Sequence, residues 1–82
     1  MNNYIATFYA HFGAIRFDRL LKAAGCVSSV RPVPRDLSSS CGSCVCYTAA
    51  EPWPAGAVKD EVEQIVAVTE TGYENVFMQE DA

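Results

Sequence analysis

Histidine occurs once in the 82-residue chain, as His11, and tryptophan once, as Trp53. A single histidine excludes a two-histidine metal motif, and no serine or carboxylate partner for it suggests a catalytic triad. His11 therefore reads first as a capping or partly buried residue at the start of a helix. No glycine-rich phosphate loop is present, and no two carboxylates form a convincing acid/base pair. The acidic residues Asp60, Glu61 and Glu63 read as the solvated N-terminal face of a helix, where negative charge is favoured. The longest unbroken aliphatic run is Ile65 to Val68, whereas a membrane-spanning helix needs roughly 20 apolar residues. Basic residues are also scarce, with Lys+Arg 6 against Asp+Glu 10 and a formal net charge of -4. That balance argues against sequence-independent binding of a phosphate backbone. No basic residue precedes the apolar stretch within residues 1–13, and no small-residue cleavage pattern follows it, so the start reads as cytoplasmic rather than secretory. Repeats, linkers and low-complexity tracts are absent, and the chain reads as a single domain over residues 1–82.

What remains is a packed globular composition, 50% hydrophobic and 20% charged. The charge is unevenly spread. Arg16, Arg19, Lys22, Arg31 and Arg35 stand against Asp18 up to residue 35, a net +4, while from Asp36 onward nine acids stand against Lys59, a net -8. Opposed patches of this kind steer encounters with partners.

Tyr4 to Tyr9 alternates as a buried strand does, with Tyr4, Ala6 and Phe8 on one side and Ile5, Thr7 and Tyr9 on the other. From Gly13 to Ala24 the period becomes helical. Gly13, Ala14, Phe17, Leu20, Leu21 and Ala24 form one stripe and Arg16, Asp18, Arg19 and Lys22 the opposite one, with Gly25 as the stop. Phe12 and Ile15 fall off the core stripe and mark a contact surface. Val27 to Val33 is a second strand, its end limited by Pro32 and Pro34. Cys44 to Ala49 is a third, placing Cys44, Cys46 and Thr48 on one face and Val45, Tyr47 and Ala49 on the other. Pro52, Pro54 and Gly56 break the chain, with Trp53 between them as a plug over a loop. A second amphipathic helix is then expected, burying Val58, Val62, Ile65, Val66 and Thr69 and exposing Lys59, Asp60, Glu63 and Glu70, with Gly72 ending it. Tyr73 to Gln79 is a last strand, and Glu80 to Ala82 an acidic tail that frays. The order β-α-β-β-α-β predicts an α+β, two-layer, ferredoxin-like sandwich, with a four-stranded, mostly antiparallel sheet carrying two helices on one face. The uncovered face or an edge strand is the natural place for a homodimer contact.

Cysteine provides the chemistry. Four occur, at Cys26, Cys41, Cys44 and Cys46. In a reducing compartment such a cluster is more often a metal site or a reactive thiol than a structural disulfide. The segment from Arg31 to Cys46 brings positive charge, three consecutive serines and Gly42 next to Cys41. Such surroundings favour the thiolate, which is the nucleophile in sulfur chemistry. Cys41 is the leading nucleophile, with Arg35 and Arg31 as anion stabilisers. His11 approaches Cys41 if the two loops lie at one end of the sheet.

The chain resembles the family of short bacterial proteins described as selenium/sulfur carrier-like. The resemblance rests on Thr7-Phe-Tyr-Ala-His-Phe-Gly-Ala14 running from strand into helix. It rests equally on Pro32-Val-Pro-Arg35 followed by Leu37-Ser38 and Cys41-Gly42, and it covers nearly the whole chain. It implies that Cys41 carries sulfur or selenium, and it does not extend to Cys44 or Cys46.

Three readings stay open. In the first, Cys41 holds a persulfide or selenopersulfide and passes it between sulfur or selenium donor and acceptor enzymes. The protein is then a thiol-based carrier rather than a turnover enzyme, with no resident cofactor and no nucleic-acid or membrane partner. The second is a thiol-disulfide module using the pair Cys41 and Cys44. The third is a zinc or iron-sulfur site built from all four cysteines. So short a chain leaves no room for a deep substrate pocket, which suits a surface thiol presented to larger enzymes.

Overall fold

The computed structural model describes residues 1–79, and the expected fraying of the acidic tail lies outside them. The elements run β1 (Asn2–Phe8), α1 (His11–Ala23), β2 (Val27–Pro32), β3 (Ser43–Ala49), a 3-10 turn (Lys59–Glu61), β4 (Val62–Thr69) and β5 (Gly72–Met78). All five strands join one antiparallel sheet in the order β2-β3-β1-β4-β5, so β1 is central.

The α+β class and the first four elements agree with the sequence expectation. The last strand, expected from Tyr73 to Gln79, is also formed, as β5, whereas the segment before it differs. Five strands replace four, and one helix replaces two, so the two-helix ferredoxin-like sandwich is not formed. The segment expected as a second helix is the 3-10 turn followed by β4. A bulge accounts for the difference. Thr7 pairs with Gln64 and Phe8 with Val62, leaving Glu63 as an extra residue in β4. Val62 and Ile65 thereby face the helix side together, while Val66 turns to the opposite side. Burial at positions 62, 65 and 66 mimics the i, i+3, i+4 spacing of a helix in a segment whose Val and Ile content favours a strand.

The main core lies between the sheet and α1. It is built from Tyr4, Ala6 and Phe8 of β1, Val45, Tyr47 and Ala49 of β3, Val62 and Ile65 of β4, and Ala14, Phe17 and Leu21 of α1. Phe17 is its hub, 5.2 Å from Phe8, 5.5 Å from Tyr47 and 6.4 Å from Trp53 between ring centroids. Trp53 also meets Phe77 edge-on at 4.9 Å. The loop after β3 thus covers the sheet with one indole where a second helix was expected, and the plug reading of Trp53 matches this placement. Asp18, expected on the wet stripe of α1, is instead buried. It accepts hydrogen bonds from Ser28 Oγ at 2.7 Å and Lys22 Nζ at 2.8 Å, which ties α1 to β2 and compensates its burial.

On the opposite face of the sheet a smaller cluster of Ile5, Cys44 and Val66 is partly covered by Val33, Leu37 and Cys46. The loop following β2 therefore folds over the face that α1 leaves bare. Phe17→Ala is expected to destabilise the domain by about 3–5 kcal/mol, measured by urea unfolding with Trp53 fluorescence as the probe. A loss below about 1 kcal/mol would contradict the role of Phe17 as hub.

Candidate functional site

The site is the loop joining β2 to β3. Its base is closed by Val33 N–H donating to Gly42 O at 3.0 Å, and within it Leu37 N–H donates to Pro34 O at 3.0 Å to form a tight turn. Gly42 has φ +74, a left-handed conformation that glycine adopts without strain. This fixes the direction in which the chain leaves Cys41 and enters β3.

Two neighbouring serines pin the loop to the sheet. Ser39 Oγ donates to Phe8 O at 3.2 Å, at the end of β1. Ser40 donates twice to Glu63, through its backbone N–H to Oε1 at 3.2 Å and through its hydroxyl to Oε2 at 2.6 Å. Glu63 Oε1 also accepts from the buried Thr7 hydroxyl at 3.3 Å. Sequence reasoning treated Glu63 as a solvated helix residue. Only the bulge, which turns this carboxylate out of the strand ladder and towards the loop, makes it the loop's anchor. A glutamate ahead of a β-branched run is too common a signal to reveal that role.

Cys41 is half-buried and packs against the helix-side core. Its thiol donates to Ser43 O at 3.6 Å, and Ser39 Oγ stands 3.9 Å from the sulfur. Loss of the thiol proton removes the Ser43 contact, and a bond from the Ser39 hydroxyl to the sulfur then has to replace its bond to Phe8 O. Neither the Ser40 nor the Cys41 amide is directed at the sulfur, because Ser40 N–H goes to Glu63 and Cys41 N–H goes to Ser39 Oγ at 3.4 Å. His11 lies at the same end of the sheet, its Nδ1 3.0 Å from Ser43 Oγ. The two loops thus meet, and histidine reaches the residue two positions beyond Cys41.

The other candidates are distributed differently. Arg35 is exposed on the turn that begins at Pro34. Arg31 sits on β2 directly across from Cys44, its Nε donating to Ser29 Oγ at 3.0 Å. Cys44 belongs to the cluster on the bare face, whereas Cys41 packs on the helix side, so the Cys-x-x-Cys spacing points its two thiols into different clusters. Cys44 Sγ lies 4.0 Å from Cys46 Sγ, and all four cysteines are free. Burial, reinforced by neighbouring Cys46, pushes the Cys44 thiol up to about 12, so it remains protonated near neutral pH. Cys26 is half-buried against the main core, its N–H donating to Leu21 O at 2.9 Å in the helix exit. Among the described residues no group of three or more His, Cys, Asp or Glu side chains is placed to hold a metal ion. Nor is any helix of the described residues long and apolar enough to cross a membrane. On the outer side of α1, Phe12 is exposed with the Arg16 guanidinium 4.6 Å from its ring centroid, and Ile15 is half-buried. A cavity of about 350 Å³ opens beside Ser40 and Glu63, with Tyr9, Gln64 and Met78 in its wall.

These features define a small α+β domain that holds one half-buried cysteine on a loop pinned at both neighbouring serines. The chain belongs to the family described as "Putative Se/S carrier protein-like", whose model matches residues 3–77. It is also similar to the uncharacterized protein YtiA of Escherichia coli (strain K12), with 31% identity over 74 residues, covering 89% of this chain and 79% of that protein. No solved structure matches the chain significantly.

Two outcomes follow for the loop. Glu63→Ala leaves the buried Thr7 hydroxyl without its acceptor and frees Ser40, a loss of about 1–3 kcal/mol. Hydrogen exchange at Ser40 should accelerate and the alkylation rate of Cys41 should change, while that of Cys26 stays constant; an unaltered Ser40 and Cys41 would refute the anchor. For the thiols, iodoacetamide at pH 8 should label Cys41 and Cys46 well before Cys44, as read by peptide mass spectrometry.

Proposed function

We propose that the protein is a sulfur or selenium carrier in which Cys41 holds the transferred atom as a persulfide or selenopersulfide. In loading, the Cys41 thiolate attacks the outer chalcogen of a donor enzyme's persulfide; the donor's S–S bond breaks, a new bond to Cys41 forms, and the donor cysteine leaves as a thiolate. In delivery, an acceptor nucleophile attacks that same outer atom and Cys41 leaves as the thiolate. No net oxidant is consumed, and the proton lost by Cys41 on loading returns on delivery.

The observation that carries this reading is a single half-buried cysteine on a pinned loop, Cys41 beside Ser39 and Gly42, in a chain of this family. Pinning favours transfer because it holds the sulfur in one orientation for a partner's incoming group and reduces the ordering cost at encounter. The exposed Arg35 offers positive charge on the same loop, suited to an anionic persulfide or to a partner's acidic rim. Cys44 is not required for the transfer, and neither is a metal. The four free thiols suit a reducing cytoplasm. A thiol-disulfide reading through Cys41 and Cys44 is the less favoured, because the two side chains pack in different clusters and Cys44 stays protonated.

Incubation with a cysteine desulfurase and free cysteine, followed by intact-mass analysis, should add one sulfur to the wild type and to Cys44→Ser and Cys46→Ser. Cys41→Ser should take up none, and Arg35→Ala should load more slowly by about tenfold or less. A wild type that stays unmodified beside a competent donor, or an adduct that survives Cys41→Ser, would sink the reading.

A further inference from the structure

Cys44 and Cys46 belong to the cluster that Val33 and Leu37 partly cover, on the other side of the sheet from the core against which Cys41 packs. Strand alternation puts both on the bare face of the sheet, their sulfurs 4.0 Å apart. Cys44 is fully buried beside Ile5 and Val66, while Cys46 is half-buried and lines a shallow depression of about 300 Å³ together with Val27, Ser29, Arg31 and Val68. The inner sulfur is thus reached past the outer one. Across the ladder, Arg31 pairs with Cys44 and Ser29 with Cys46, and the Arg31 Nε to Ser29 Oγ hydrogen bond holds the guanidinium on β2 beside the two thiols.

We propose that Cys44 and Cys46 form a two-thiolate site for a soft, low-coordinate cation, of which the cuprous ion is the representative. The donor set decides the class. Thiolates select soft cations, and the described residues contain no third His, Cys, Asp or Glu to complete a tetrahedral zinc site or a four-cysteine cluster here. A monovalent ion on two thiolates leaves a net charge of -1, for which Arg31 is the adjacent counter-charge. Taking the zinc–thiolate length of about 2.3 Å as an upper bound, an in-line arrangement separates the sulfurs by at most about 4.6 Å. The observed 4.0 Å reaches that span through a small outward swing of the half-buried Cys46. Binding breaks two S–H bonds, forms two metal–sulfur bonds and releases two protons to solvent, with no electron transferred. Since protons are released, affinity rises with pH.

Anaerobic titration of the full-length protein with cuprous ion against a chromogenic cuprous chelator tests the site. One equivalent should be withheld from the chelator, with a near-ultraviolet thiolate-to-copper band, in the wild type, Cys41→Ser and Cys26→Ser. Cys46→Ser, whose half-buried position tolerates the change, should weaken binding by tenfold or more, and Arg31→Gln should weaken it with the circular dichroism spectrum unchanged. Retention of full affinity in Cys46→Ser overturns the proposal, as does loss of binding in Cys41→Ser. Cys44→Ala serves as a further check where it folds, and the Cys46 and Arg31 variants decide the question where it does not. Sulfur loading of Cys41 is scored separately, so failure of this site leaves the carrier reading standing, and the reverse.

Discussion

The bulge at Glu63 is the constraint on which the rest of the molecule depends. One extra residue in β4 opposite Thr7 and Phe8 does two things at once. It sets Val62 and Ile65 on the helix side, so the main core closes without a second helix. It also frees a carboxylate from the strand's alternation, and that carboxylate collects the Thr7 hydroxyl, the Ser40 hydroxyl and the Ser40 amide. A charged acceptor bonded to three donors is stronger than three neutral contacts. The Cys41 loop is therefore fastened to the central region of the sheet rather than resting on its own turn.

The sheet also separates two kinds of thiol. Cys41 lies before β3 begins, packs towards the helix-side core and is half-buried, so a partner can reach it. Cys44 and Cys46 lie within β3 on the other face, and the first of them is buried and held protonated by desolvation. Sequence proximity is a poor guide here because a strand start intervenes. In a helix, Cys-x-x-Cys brings two thiols to one side; at the entrance to a strand the same spacing sends them to opposite sides. The two environments match the two roles proposed for them, transient transfer at Cys41 and paired ligation at Cys44 and Cys46.

A domain of this size has few layers to spend, and the segment between β3 and β4 shows how it manages with one helix. Trp53 spans from Phe17 to Phe77, and Lys59 Nζ lies 5.4 Å from the indole centroid on its outer side. One large aromatic thereby gives the burial that a second amphipathic helix would otherwise supply. The aromatic chain from Phe8 through Phe17 and Trp53 to Phe77 links the central strand to the last one.

The amino-acid sequence by itself determined β1, α1, β2, β3 and β5, the faces of β3 that carry Cys44, Cys46 and Thr48 or Val45, Tyr47 and Ala49, and the loop that presents Cys41. Those features follow from local periodicity and from Gly and Pro stops, which act within a few residues. Tertiary structure alone decided that residues 62–69 form a strand, that Asp18 is buried between Ser28 and Lys22, that Glu63 anchors the loop, and that Cys41 and Cys44 point into separate clusters. Each of these depends on pairing across the sheet. A bulge exists only relative to the strand it opposes, and the burial at Val62, Ile65 and Val66 has the same spacing as a helix until β1 is laid beside it.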